Sequence, residues 1–133
     1  MITGLDVSKV EASRDSKEAI TNMKFNINFE DVKVEKDNVS VGFTFTAVYE
    51  AGAGSKQAGQ IKITGNIISK ENSKDSGEIT ATWKEKKTLP LKFAEDVINL
   101  LNFECGARGT LLAYSIGLAA PLPLSRAKLT ENQ

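Results

Sequence analysis

Residues 90 to about 117 read as one long, mostly apolar helix, whereas most of the chain before them alternates apolar and polar residues. Alternation with a period of two is typical of strands that have one apolar and one polar face, while a helical face repeats about every 3.6 residues. The chain therefore places its strands first and its major helix last. This order predicts an α+β fold in which the long helix contacts one face of an antiparallel sheet.

Four segments carry the strand pattern, at residues 2–12, 23–34, 39–49 and 61–67. The first changes phase at Ser8-Lys9, as a β-bulge would produce. Turn-forming residues at Lys36-Asp37-Asn38 separate the second segment from the third, which predicts a hairpin. Together the four segments predict a four-stranded antiparallel meander sheet.

Two helices are expected after the strands and a charged loop. Residues 78–87 suit a short amphipathic helix with Ile79 and Trp83 one turn apart. The long helix has Pro90 in its first turn, where the missing N–H of proline does no harm. Because its apolar residues cover more than one stripe, we expect the sheet on one side and a further partner, such as a second subunit, on the other.

Composition limits the classes of function. The 133 residues fit one domain, which we take as residues 1–133. The 17 basic and 17 acidic residues balance, without a basic run that could follow a phosphate backbone, so nucleic acid is not an expected partner. The chain has no histidine and one cysteine, which excludes a zinc site and a Ser-His-Asp or Cys-His arrangement.

The same features predict a compartment. The residues from Met1 to Asp6 lack the charged and apolar regions of a signal peptide, and no apolar run could span a bilayer. A single cysteine cannot form an intrachain disulfide, which fits a reducing environment. We therefore expect a cytoplasmic protein without membrane insertion.

Three motifs in the last third resemble a known family. They are Asn99-Leu100-Leu101, Ser115-x-Gly117 and Pro121-Leu122-x-Leu124, and they look like the helix and post-helix loop of SecB, the tetrameric export chaperone of bacteria. The predicted strands, with a bulged first strand and three further strands in meander order, are similar to the SecB-like sheet. The chain departs from the bacterial proteins at Arg14-Asp15, where they carry acidic residues for docking the SecA motor.

The resemblance implies a function without catalysis or cofactor. It implies a homotetramer built as a dimer of dimers, with long helices in the interface and apolar grooves for unfolded polypeptide or preprotein clients. Such a protein acts as an ATP-independent holdase chaperone that keeps clients soluble and competent for protein transport and translocation. Handover to the SecA motor is not implied, because the acidic docking residues differ.

Candidate site residues follow from exposed apolar surface and from small residues on the long helix. A holdase needs apolar side chains that stay accessible, and close helix packing would explain helical glycines. The predicted client-binding residues are Trp83, Tyr114, Leu118, Leu122 and Leu124. The predicted oligomer interface comprises Gly106, Gly109, Leu112 and Ile116.

Two other functions remain open from the sequence. The chain could be a dedicated chaperone of one specific partner, as in SecB-like proteins attached to toxin–antitoxin pairs. It could also be a small-ligand-binding α+β domain in which a curved sheet wraps a long helix. The breadth of clients and thermal stabilisation by one ligand class would separate these functions from a general holdase.

Overall fold

The computed structural model describes residues 1–52 and 56–121, which form one antiparallel sheet and two helices. In chain order the elements are β1 Ile2–Arg14, β2 Ile20–Glu35, β3 Asn38–Ala51, β4 Lys56–Lys70, α1 Ser73–Lys86 and α2 Leu91–Ser115. The strand order is β1-β4-β3-β2. The predicted α+β architecture is confirmed, with β2, β3 and β4 in meander order and β1 on the open side of β4.

The bulge predicted in the first strand is present. The register between β1 and β4 shifts between Val7 and Lys9, which leaves Ser8 as the extra residue. Opposite this bulge lies Gly65, where a Cβ atom would overlap the carbonyl oxygen of Asp6. Only glycine admits so close an approach of the neighbouring backbone, so this residue allows β1 to bend onto β4.

The hydrophobic core lies on one face of the sheet, beneath α2. Along β3 every second side chain points to this face and is fully buried, and the facing residues of β4 and α2 complete the cluster. Burying each such side chain contributes about 1.5–3 kcal/mol. Ile79 of α1 also belongs to this cluster. The largest fully buried side chains of the cluster are Tyr49, Phe43, Phe45, Ile61, Ile63, Ile67, Ile79, Leu101, Val39, Val41 and Val97.

The helix α1 begins earlier than the sequence pattern predicts. Its N-cap is Asn72, whose side-chain oxygen accepts a hydrogen bond of 2.8 Å from the backbone N–H of Asp75. The predicted start at residue 78 was wrong, because the serines and glycine of 73–77 suggested a loop although Gly77 lies exposed inside the helix. The cap satisfies a backbone donor that would otherwise be left free, which favours the longer helix.

Candidate functional site

One apolar surface of the long helix faces solvent. We call it the outer stripe. Its members recur every three or four residues and so share one helix face, and they are Phe103, Ala107, Leu111 and Tyr114. Leu100 continues this spacing but is half-buried against the core. Phe103, Leu111 and Tyr114 are 72%, 74% and 87% exposed. The opposite face of α2 is buried against the sheet. The helix is therefore apolar on two sides, and only one of them is covered by the other described residues.

The predicted interface residues lie beside the outer stripe rather than on it. Gly106 and Gly109 are buried, and a Cβ atom at Gly109 would lie 2.6 Å from Cγ of Pro121. Leu112 and Ile116 are half-buried against the core. The absence of a side chain at Gly109 thus makes room for Pro121 of the same chain. The participation of these four residues in an oligomer interface stays a prediction.

The predicted client-binding residues lie on three different parts of the fold. Trp83 is half-buried on α1, with the ammonium group of Lys87 5.6 Å from its ring centre. Tyr114 faces solvent on α2, whereas Leu118 is only 7% exposed. Leu122 and Leu124 fall outside the described residues. Tyr114 and Leu118 are close in sequence, but one points to solvent and the other to the sheet, and client binding by this set stays a prediction.

Leu118 is buried because the chain after α2 folds back over the sheet. We call residues 117–121 the strap. The backbone of Gly117 has a φ of 71°, in the left-handed region that favours glycine, and the N–H of Leu118 donates to the carbonyl of Ala113 at 2.9 Å. This is the usual glycine-terminated end of a helix. It turns the chain away from the helix axis and across the strands.

Two side chains of the sheet hold the main chain of the strap. The guanidinium of Arg14, at the end of β1, donates to the carbonyl of Gly117 at 2.6 Å. The hydroxyl of Tyr49, on β3, donates to the carbonyl of Ala119 at 2.6 Å. Burial raises the pKa of Tyr49 from its ordinary value of 10.0 to about 12, and at either value the hydroxyl is protonated and able to donate at neutral pH.

Two glycines receive the side chains of the strap. A Cβ atom at Gly59 of β4 would lie 3.0 Å from Cδ1 of Leu118, and one at Gly109 would meet Pro121. Pairing in the sheet sets Gly59 between Arg14 and Tyr49. The strap therefore crosses β1, β4 and β3 in turn, along a groove that offers main-chain hydrogen bonds and two apolar notches.

A second region of partly uncovered apolar surface lies on β2. Met23, Phe25 and Ile27 pair with fully buried residues of β3, yet Phe25 remains 39% exposed. Its ring lies 6.2 Å from the ring of Phe45, measured between centroids. The apolar side chains of this edge strand are therefore only partly covered, although their partners on β3 are fully buried.

A cavity of about 450 Å³ lies between the two helices and the start of β1. Its lining combines apolar side chains, four carboxylates and one lysine; the lining residues are Met1, Ile2, Glu71, Asp75, Glu78, Ile79, Pro90, Leu91, Lys92, Phe93 and Asp96. The volume is that of a small-ligand site. Among the described residues, no three histidine, cysteine or acidic side chains are arranged to hold a metal ion.

Cys105 lies on the inner face of α2 and is fully buried. Burial raises the pKa of its thiol to about 12. A thiolate is the nucleophilic form, so the thiol at this position is inert at neutral pH and serves as a small apolar side chain. Neither helix of the described residues is long and apolar enough to cross a membrane.

Sequence reasoning missed two sets of functional candidates. Phe103 and Leu111 of the outer stripe were not among the predicted site residues, although their spacing of eight positions along the helix is visible in the sequence. Arg14 and Tyr49 carry no such signal. They meet the strap only because the topology brings β1, β3 and the end of α2 to the same edge of the fold.

The fold is similar to that of a solved chaperone. Neither a protein-family model nor a curated protein matches the chain. Seven chains among the solved structures do, including the SecB-like chaperone Rv1957 of Mycobacterium tuberculosis in complex with a ChAD peptide from the HigA1 antitoxin Rv1956. That comparison covers 98% of this chain and 91% of the other, with a TM-score of 0.57 and 13% identity. The likeness is one of fold, and the predicted SecB-like fold is confirmed.

Proposed function

We propose that this SecB-like subunit is an ATP-independent holdase, which binds unfolded polypeptide segments and keeps them soluble without catalysing a reaction. The observation that carries the proposal is the outer stripe of α2, where Phe103, Leu111 and Tyr114 remain 72–87% exposed. Large exposed apolar patches on a folded subunit mark surfaces that bind other chains. The partly uncovered row around Phe25 adds to this surface.

We assign the centre and the C-terminal end of the outer stripe to different partners. The centre of the stripe, at Phe103 and Leu111, contacts a second copy of the chain in a homotetramer. Tyr114, at its C-terminal end, contacts the client. In the export form of the proposal the clients are preproteins in the cytoplasm, held until a translocation partner takes them.

A dedicated chaperone of one partner is an equally supported form of the same function. The solved SecB-like chaperone of similar fold is described in complex with a peptide from an antitoxin. The general and dedicated forms share the binding chemistry and differ in breadth. A general holdase delays the refolding of several unrelated proteins, whereas a dedicated one delays none of them and copurifies with one partner.

The test is the refolding of a slow-folding secretory protein diluted from denaturant, followed by its intrinsic fluorescence and by light scattering. We expect near-stoichiometric amounts of the protein to arrest refolding and suppress aggregation in the absence of ATP. If refolding and aggregation of this client and of a panel of unrelated unfolded proteins are untouched, and no partner copurifies, the proposed function is wrong.

A matched pair of variants ties the activity to the surface. Tyr114→Asp places a charge on the apolar end of the stripe and is expected to weaken client holding. Ser115→Asp adds the same charge at the next exposed position of the same helix end and is expected to leave holding intact. Circular dichroism checks that both variants stay folded. Equal holding by the two variants removes Tyr114 from the client site.

A further inference from the structure

The groove under the strap has the chemistry of a peptide-binding site. Arg14 and Tyr49 donate hydrogen bonds of 2.6 Å to the carbonyls of Gly117 and Ala119. Carbonyl oxygens are present at every residue of any polypeptide, so donors aimed at them recognise a main chain without reading its sequence. The groove therefore holds the strap partly by contacts to its main chain, which any polypeptide segment carries.

The two notches of the groove select for side-chain size. Gly59 leaves room for Leu118, and Gly109 leaves room for Pro121, three positions further along the strap. Both side chains are buried in these positions. An extended segment with compact apolar side chains at this spacing would bury the same area, whereas a charged side chain in either notch would lose its hydration.

The helix end does not require all of these contacts. The hydrogen bond from Leu118 to Ala113 completes the cap of α2. The hydrogen bond from Tyr49 to Ala119 and the packing of Pro121 on Gly109 lie beyond the cap. They stabilise the strap in the groove, and the helix would end in the same way without them.

We propose that this groove binds extended apolar segments of other polypeptides, and that the strap is its occupant in cis. The proposal rests on the proposed function only in identifying those segments as parts of clients. A segment can enter only when the strap leaves. The release also exposes Leu118, which accounts for how a residue that is 7% exposed could serve as a client contact.

Occupation in cis sets the affinity of the groove. A tethered segment competes at an effective concentration of the order of millimolar, so only long or strongly apolar segments displace it. The apparent affinity for a client is the intrinsic affinity reduced by the fraction of subunits with an open strap. Weakening the strap while leaving the groove intact is therefore expected to strengthen binding in trans.

The experiment is a titration of isotope-labelled protein with a capped heptapeptide of the sequence of residues 115–121, followed by backbone amide shifts. The host is the variant Leu118→Gly with Pro121→Gly, which removes both side chains from the notches and keeps Arg14 and Tyr49. We expect shifts centred on Gly59 and Tyr49, with an affinity at least about tenfold above that of the unsubstituted protein, since each buried apolar side chain carries that much or more. A peptide with aspartate in place of its leucine is expected not to bind.

A second variant tests the cis occupation in a chain that is expected to stay folded. Gly109→Ala blocks only the notch of Pro121, and alanine favours the helix at that position. We expect weaker nuclear Overhauser effects between the methyl groups of Leu118 and the Cα protons of Gly59 in this variant, because the strap leaves the groove more often. Ala81→Gly, on an exposed position of α1, is the control and is expected to leave these effects unchanged.

The outcomes separate the groove from the chaperone activity. The proposed groove is wrong if the peptide does not bind the variant Leu118→Gly with Pro121→Gly, or if it binds the unsubstituted protein equally well. This holds even if the protein arrests the refolding of clients. Unchanged contacts between the side chain of Leu118 and Gly59 in Gly109→Ala overturn the cis occupation. If the peptide binds as expected but the protein delays no refolding, the groove is supported and the proposed holdase function is wrong.

Discussion

Placing charge at the centre of the outer stripe should separate the subunits. The perturbation is Phe103→Asp with Leu111→Asp, at two side chains that are 72% and 74% exposed and eight positions apart on α2. Neither side chain belongs to the buried core cluster. The double variant should therefore act on assembly and leave the free subunit folded.

The size of the effect follows from the exposed area. Fully burying a phenylalanine side chain contributes about 1.5–3 kcal/mol, so burying the exposed 72% of Phe103 in an interface contributes about 1–2 kcal/mol. Leu111 adds about 1–2 kcal/mol on the same scale. A symmetric contact uses each residue twice, so the variant removes about 4–8 kcal/mol, which weakens the association by about 10³–10⁶-fold.

The assay is size-exclusion chromatography with multi-angle light scattering at micromolar concentrations, supported by circular dichroism. We expect an oligomer for the unsubstituted protein and a folded monomer for the variant. The control is Lys92→Asp with Ser115→Asp, which also adds two carboxylates to exposed positions of α2 but outside the stripe. If the stripe variant keeps the mass of the unsubstituted protein, or if the unsubstituted protein is itself monomeric, the assignment of this face to a second copy is wrong.

Three further outcomes are expected. Cys105 should not react with a thiol reagent at pH 8 in the native protein and should react in denaturant, because burial raises its pKa to about 12; fast native labelling would contradict its burial. In the folded protein the pKa values of Cys105 and Tyr49 are about 12, above their ordinary values of 9.0 and 10.0. The stability to urea should therefore be steady below about pH 9 and fall from there towards pH 12. Urea midpoints that do not fall across this range would contradict this expectation. Leu122→Asp with Leu124→Asp should weaken client holding in the refolding assay without changing the circular dichroism of the sheet, and unchanged holding would remove these residues from the client site.

Much of the fold could be predicted because its signals are local. The alternation along β3 follows directly from the burial of one face of the sheet, and the bulge at Ser8 appears in the sequence as a change of phase. The start of α1 could not be predicted from composition, since it depends on one hydrogen bond from Asp75 to the side chain of Asn72. Local composition favoured a loop, and the cap together with the packing of Ile79 favoured a helix.

The candidate site was less predictable because its contacts are long-range. The sequence shows that Leu118 is apolar and follows a helix, but its burial depends on Gly59 and on Tyr49, which are far away in the chain. A period in the sequence reports which face of an element is apolar. It does not report which of two apolar faces of α2 stays uncovered, because that depends on how the helix lies on the sheet.

The hydrogen bond between Arg14 and Gly117 joins residues 103 positions apart, and this separation has a consequence for biosynthesis. All four strands are complete at Lys70, while the helix that covers their apolar face ends at Ser115. At synthesis rates of about 5–20 residues per second, the ribosome needs about 2–9 seconds to extend the chain from the end of β4 to the end of that helix. Throughout this interval the nascent chain presents its uncovered sheet to the cell, so each newly made subunit passes through a stage in which it would itself benefit from a chaperone.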